Sequence, residues 1–456
     1  MTASPFAIRG VIEGFYGTPW THEQRLELAG FLGERGMNTF VYSPKDDPLV
    51  RQDWRQAYSG AELARLSELI ERCAAHGLDL VYCLSPGLSI EYSSESDRSL
   101  LSEKFDSIAD LGVTSFGLLL DDIPGELQHP SDRSVFAGLV EAHARLVGDV
   151  HDRLAEGSRL FVCPTQYWGY GDEEYISRLG QSIDPRIELF WTGRAICSAT
   201  LDLADAEVFA KATGRAPTYW DNYPVNDVAM RHELHVGPYR GRDRELFRSS
   251  RGVIANGMEL FESSKIAFAT IADYLADPAG YDPEESWHRA IAAVAGDDAE
   301  AYTVFADNVR SSCLAAEDAP LLQHALESFA FESVYGDPEH AADELDEVAD
   351  RMLAAAERLL RGPARTRRLV AEARPWIEAF KIGARAVKCV VELYRSGRLG
   401  SDGPTELAPF LGRIRDLRVR VFGDVLDMTL SELIVRRPPA ENAQPTPTPH
   451  SKEAAS

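Results

Sequence analysis

Between Ile8 and about residue 276 the sequence switches eight times from a short apolar run to an amphipathic stretch, and few folds can absorb that rhythm. The apolar runs are Ile8–Glu13, Asn38–Tyr42, Leu78–Leu84, Thr114–Leu120, Arg159–Cys163, Ile187–Trp191, Pro217–Trp220 and Gly252–Ala255. Short runs of this kind read as buried strands. Helices fill most of the gaps. Thr21-His-Glu-Gln24 has the form of a capping box, Leu28, Phe31 and Leu32 share one face, and Gly36 closes the segment. Leu63, Leu66, Ile70 and Cys73 repeat the helical spacing, with Gly77 as the stop. Regular strand–helix alternation calls for a parallel sheet. Eight such units fit a closed α/β architecture, a (β/α)8 TIM-type barrel of roughly 250 residues, better than an open doubly wound sheet. The stretch between the seventh and eighth runs is long and only weakly helical.

Beyond residue 280 the strand pattern vanishes. Helical patterns cover Ala299–Leu314, Pro338–Leu360, Arg367–Tyr394 and Glu406–Val435, with Val348, Met352, Ala355 and Leu359 at helical spacing and Pro375 expected to kink or restart its helix. The division expected is a catalytic barrel over 1–280, an all-α helical bundle over 281–436 and a disordered Pro/Thr/Ser tail over 437–456.

Composition narrows the classes of partner. A net charge of −25 argues against nucleic acid and anionic membranes, both of which are bound through basic patches. No run approaches the roughly 18 apolar residues of a membrane span, and the N-terminus lacks the basic and apolar regions of a signal peptide, so a cytoplasmic location is expected. The six cysteines are scattered without a C-x-x-C pair, as expected of buried free thiols rather than a disulfide framework or a zinc site.

In a barrel of this type, chemistry gathers at the C-terminal ends of the strands. Those ends read Glu13-Gly-Phe-Tyr-Gly17, Tyr42-Ser-Pro-Lys-Asp-Asp47, Ser85-Pro-Gly87, Asp121-Asp122, Cys163-Pro-Thr-Gln-Tyr-Trp168, Trp191-Thr-Gly193, Trp220-Asp-Asn-Tyr-Pro-Val-Asn-Asp227 and Asn256-Gly-Met258. Aromatic faces, fixed hydrogen-bonding side chains and glycines suit a neutral polyhydroxylated ring. No Gly-rich loop with Lys-Ser/Thr offers a phosphate site, no histidine falls on these ends to suggest a metal, and no cofactor is implied. Asp121 and Asp122 end the apolar run Phe116-Gly-Leu-Leu-Leu120, where a buried strand could not solvate them. Successive strand residues point to opposite faces, so the strand must distort or stop at Asp121 if both acids are to meet one ligand. Adjacent acids also fit poorly with the inverting scheme, which needs carboxyls roughly 6.5–9.5 Å apart; they suit a mechanism in which the substrate's own 2-acetamido group is the nucleophile.

These motifs together resemble glycoside hydrolase family 84, the O-GlcNAcases and related bacterial β-N-acetylglucosaminidases. The match includes Gly14-Phe-Tyr-Gly17 with Pro19-Trp20, Tyr42-x-Pro-Lys-Asp-Asp47, Asp121-Asp122-Ile123, Cys163-Pro-Thr165 with Tyr167, Trp220-Asp-Asn222 with Asn226-Asp227, and Gly237-Pro-Tyr239. The resemblance implies that Asp121 orients and polarises the acetamido N–H, while Asp122 serves as general acid and then as base. It further implies that Lys45, Asp227 and Asn256 hold sugar hydroxyls and that Gly14 lends its main-chain carbonyl. Asn222 then supports the acetamido group, Tyr167 contacts the oxazoline oxygen and Trp220 lines the acetyl pocket. The family pattern has Asn-Pro where this chain has Asn256-Gly257.

The implied activity is a retaining exo-β-N-acetylglucosaminidase acting on a GlcNAc-bearing glycoprotein or glycan, most simply O-linked GlcNAc. The alternatives are a hexosaminidase for glycan or hyaluronan-type fragments and a carbohydrate-binding barrel with decayed catalysis. Tyr167, Trp168, Trp191 and Trp220 could also be core aromatics, Trp168 and Trp191 as readily as site residues; Cys163 and Cys197 read as structural, and His232 and His235 receive no role.

Overall fold

The computed structural model describes residues 4–362 and 366–435; the tail expected to be disordered lies outside them. The barrel elements run β1 (Ile8–Glu13), α1 (His22–Glu34), β2 (Thr39–Tyr42), α2 (Gly60–Ala75), β3 (Asp79–Leu84), α3 (Glu95–Ala109), β4 (Ser115–Leu119), α4 (Pro130–Val135), α5 (Leu139–Arg153), β5 (Arg159–Cys163), α6 (Glu174–Ser182), β6 (Glu188–Trp191), α7 (Leu203–Thr213), β7 (Thr218–Asp221), β8 (Gly252–Asn256) and α8 (Phe261–Ala276). All eight strands pair in parallel with their sequence neighbours, and β8 returns to β1 with Ile12 beside Asn256, closing the barrel. The capping box forms reciprocally at α1: Gln24 N donates to Thr21 Oγ1 and Thr21 N to Gln24 Oε1. Gly36 and Gly77 follow their helices at φ +71°, a left-handed turn that glycine adopts without steric cost.

Two cores stabilise the barrel. Inside it, Ile8, Ile12, Val41, Val81, Leu119, Phe161, Phe190 and Ile254 fill the cylinder, with Cys163 and Trp220 toward its C-terminal mouth. A larger apolar layer lies between the sheet and the helices. The seventh crossover departs from the repeat. Between β7 and β8 the described chain forms only single 3₁₀ turns at Val228–Met230 and Leu246–Arg248, held by a buried cluster in which Arg242 and the Tyr239 hydroxyl donate to Asp221.

Helices α9 (Pro283–Ala295), α10 (Ala299–Ala306), α11 (Pro320–Tyr335), α12 (Pro338–Arg361), α13 (Arg367–Arg395), α14 (Leu399–Asp416) and α15 (Val425–Val435) follow. Several differ from the sequence pattern. The segment expected as Ala299–Leu314 ends at Ala306, where Asp318 draws Ser311 N and Oγ into a tight turn. The segment expected as Glu406–Val435 is two helices, because the chain between them is recruited elsewhere. Arg420 N donates to His232 O, Phe422 N donates to Asn308 O, and the Phe422 ring stacks on Phe380. Pro375 does not restart α13: the helix continues through it, with Trp376, Ile377 and Phe380 buried on its packed face. Helices α9 and α11 lie outside the segments whose sequence pattern reads as helical.

The two regions share helix α8. Phe268 and Ile271 pack into the barrel layer, whereas Ile266 and Ala269 join the core of the helical region. The carboxylate of Glu372 on α13 caps the N-terminus of α8, accepting from Glu262 N and Ser263 N, both at 3.0 Å. Burial pushes Glu372 up to about 7, against the downward pull of those hydrogen bonds and with Glu262 nearby adding to the rise. A carboxyl raised in the folded state binds its proton more tightly there than in the unfolded chain, whose value is about 4.3, so its contribution is fully present at low pH and is lost as pH rises towards 7. Between pH 5 and pH 8 the parent is expected to lose stability, by on the order of 2–3 kcal/mol, that Glu372→Gln does not lose. Denaturant midpoints of both proteins across that range check this.

Candidate active site

The strand carrying the two acids stops short of them. β4 ends at Leu119, Leu120 N still donates to Cys163 O, and the chain then turns through Asp122 at φ +53°. A left-handed aspartate is uncommon and strained, and here it aims the second acid into the same mouth as the first. The distortion expected at Asp121 therefore takes the form of an ended strand and a left-handed turn.

The mouth opens into a cavity of about 500 Å³ that brings together every residue singled out in the sequence: Gly14, Lys45, Asp121, Asp122, Tyr167, Trp220, Asn222, Asp227 and Asn256 all line it. Asp121 is buried, and its Oδ2 is ion-paired with the equally buried Lys45 ammonium. Burial alone would lower the Lys45 pKa, but the Asp121 charge, with Tyr16 and Asp122 behind it, raises it, so the lysine stays charged. The other oxygen of Asp121, Oδ1, is buried without any hydrogen-bond partner. An orphaned carboxylate oxygen is costly in a native site and calls for an explanation.

Asp122 is exposed, and both its oxygens are occupied: the Tyr16 hydroxyl donates to Oδ2 at 2.7 Å and the Tyr167 hydroxyl to Oδ1 at 3.0 Å. Both tyrosine pKa values are raised, first by burial and further by the Asp122 charge, so both remain neutral donors. On the opposite wall an amide network fixes the remaining polar groups. Asn222 Oδ1 accepts from Trp220 Nε1 and Asn256 Nδ2, each at 3.0 Å, and Asn222 Nδ2 donates to Ile196 O at 2.8 Å. Asn256 Oδ1 accepts from Gly14 N at 3.2 Å, and Asp227 accepts from Tyr16 N at 2.7 Å.

Two glycines are set by this packing. A Cβ on Gly14 would stand 2.6 Å from the Trp220 ring. At Gly257, the departure from the family pattern, a Cβ would stand 2.5 Å from the Trp20 ring, while Gly257 N donates to Ile12 O, a bond proline could not make. Glycine here lets Trp20 pack under the turn, where its indole donates to Met258 O, and Asn256 keeps its place in the network.

Tyr16, Cys163 and Cys197 also line the cavity, and Arg51 lies behind Tyr16; the sequence pattern assigns no site role to any of the four. Tyr16 belongs to the strand-end motif Gly14-Phe-Tyr-Gly17, which marks it in the sequence; Arg51 lies in an irregular loop, where nothing in the sequence marks it. Trp191 is a core residue stacked on Phe209, and Trp168 is half exposed. His235 is buried and bonded to the carbonyls of Pro224 and Val225, which shapes the loop after β7. A second cavity, of about 460 Å³, lies between α1 and α2, but its Arg25 and Asp47 are already partnered, by Glu13 and by the Tyr42 and Tyr58 hydroxyls. Among the described residues no cluster of three or more His, Cys, Asp or Glu side chains could hold a metal, and no helix is long and apolar enough to cross a membrane.

The family described as beta-N-acetylglucosaminidase matches residues 9–307, which spans the barrel from the second residue of β1 and continues through α10. The chain belongs to the β-N-acetylglucosaminidase family. This is the glycoside hydrolase family 84 that the strand-end motifs resemble. The chain is also similar to the protein O-GlcNAcases of Rattus norvegicus and Mus musculus, each 35% identical over 271 residues. That alignment covers 58% of this chain and 29% of each relative, so the chain spans under a third of their length. Among solved structures it resembles an aspartate-to-asparagine mutant of the Thermobaculum terrenum O-GlcNAc hydrolase. The TM-score is 0.89 at 34% identity, covering 94% of this chain and 95% of the other. That similarity extends over the helical region as well as the barrel.

Proposed function

We propose that this β-N-acetylglucosaminidase family member removes terminal GlcNAc from O-linked glycoproteins by a retaining, substrate-assisted reaction. The observation that carries the reading is Asp121. One of its oxygens is committed to Lys45 and the other is buried without a partner, and an acetamido N–H is the donor that would complete it. With that N–H held, the acetamido carbonyl oxygen attacks the anomeric carbon as the bond to the leaving oxygen breaks. Asp122 gives its proton to that oxygen. The resulting oxazolinium, which keeps its N–H proton on the hydrogen bond to Asp121, is opened by water whose proton goes to Asp122, which restores the acetamide and yields the β anomer. Trp220 and Asn222 bound the acetyl group, while Lys45, Asp227, Asn256 and the Gly14 carbonyl take the ring hydroxyls. The intact Asp121–Lys45 pair favours a working enzyme over a decayed binding barrel.

Proton NMR of early hydrolysis of an aryl N-acetyl-β-glucosaminide tests the reading. β-GlcNAc is expected first, mutarotating later, with the matching β-glucoside left uncleaved. Initial α product, or equal cleavage of the glucoside, contradicts it.

A further inference from the structure

The two hydroxyls on Asp122 are not equivalent. Tyr16 is itself held from behind: Arg51 Nη1 donates to the Tyr16 hydroxyl oxygen at 2.8 Å, and Arg51 Nη2 approaches the main-chain oxygen of Asp122 at 3.4 Å. Arg51 is 8% exposed, and its own backbone is pinned. Ser85 N donates to the carbonyl of Val50, and the buried Lys104 ammonium holds the carbonyls of Leu49 and Gln56 on either side of it. Burial works against the guanidinium charge, but the hydrogen bond to Tyr16 and the charges of Asp121 and Asp122 outweigh it, so the cation persists. A cation donating to a hydroxyl polarises it and makes it a stronger donor in turn. The chain Arg51–Tyr16–Asp122 is thus rigid at one end and directed at a single oxygen, Oδ2.

We infer that Arg51, acting through Tyr16, is a positioning residue for Asp122: it reserves Oδ2 for a fixed donor, leaves Oδ1 as the seat of the transferable proton, and braces the left-handed turn that aims the acid. This rests on the proposed role of Asp122. In that role Oδ1 must be released by Tyr167 before it can carry the proton to the leaving oxygen, and Tyr167 is then free to turn to the acetamido oxygen. Oδ2, held by the Arg51–Tyr16 pair, is never released. The acid's geometry is kept through both proton transfers, out to the leaving oxygen and back from water.

The test is the dependence of kcat/KM on leaving-group pKa for Arg51→Met, Tyr16→Phe, the double variant and Asp122→Asn, on a series of aryl N-acetyl-β-glucosaminides. Arg51→Met is expected to lose about 10- to 100-fold on poor leaving groups, a fraction of what general acid catalysis supplies, and within about threefold on the most acidic ones. Tyr16→Phe should show the same tilt, Arg51→Lys should recover part of the loss, and the double variant should be no worse than the worse single one, because the two residues act as one chain. A loss uniform across leaving groups, or multiplicative losses in the double variant, overturns the inference. Tyr16→Phe deletes one oxygen and keeps the test open if Arg51→Met folds poorly. If Asp122→Asn itself shows no tilt, the reading of Asp122 as the acid is what has failed.

Discussion

Asp122→Asn is expected to lose roughly 10²–10⁴-fold in kcat/KM on aryl N-acetyl-β-glucosaminides with poor leaving groups, the range that general acid catalysis supplies. On substrates whose leaving group departs as a stable anion it should retain most of its activity, since no proton is needed there. Asp121→Asn should behave differently. A carboxylate strengthens its hydrogen bond to the acetamido N–H as positive charge builds on the forming oxazoline, so its benefit is larger in the transition state than in the ground state. The amide cannot follow that charge, and the variant also strands the buried Lys45 ammonium without its counter-ion. Its turnover should fall on every substrate, acidic leaving groups included, with KM changing far less than kcat. Plotted against leaving-group pKa, Asp122→Asn should give a steep slope and Asp121→Asn a slope near the parent's. Reversed slopes would exchange the two roles. Losses below tenfold in both variants would favour the binding-barrel reading. Thermal unfolding of Asp121→Asn separates lost catalysis from lost folding.

The parts of the molecule legible in the sequence are those where local pattern and tertiary packing agree. A strand buried on both faces needs an unbroken apolar run, so Phe116–Leu120 announces β4, and charges that follow such a run belong at the mouth, where Asp122 is exposed and the buried Asp121 is paired with Lys45. The capping box at Thr21 and the stop at Gly36 need only their own neighbours, and both form as written. The β7–β8 stretch lacks helical periodicity because it is organised by the buried Asp221–Arg242 pair, whose members lie 21 positions apart. The break after α14 is equally non-local: residues with ordinary helical spacing are drawn out of the helix by His232 and Asn308. Helix α8 carries few charges, which suits a helix covered on both sides, yet nothing in it names the helical region as the second cover. In the site, residues inside strand-end motifs could be found, whereas Arg51 reaches the Asp122 carboxylate only through Tyr16, a relation that exists in three dimensions alone.

A series of substrates with CH₃, CH₂F, CHF₂ and CF₃ on the amide tests the proposed acetamido nucleophile most directly. Each fluorine withdraws electron density from the carbonyl oxygen, the nucleophile in the proposed reaction. In the proposed site, fluorine is small enough to leave the fit against Asp121, Trp220 and Asn222 little changed. With one aryl leaving group throughout, log kcat is expected to fall steadily along the series, with the trifluoro substrate slower by several orders of magnitude. A flat series would contradict substrate assistance and place the nucleophile on the protein, where Asp227 is the third carboxylate lining the cavity.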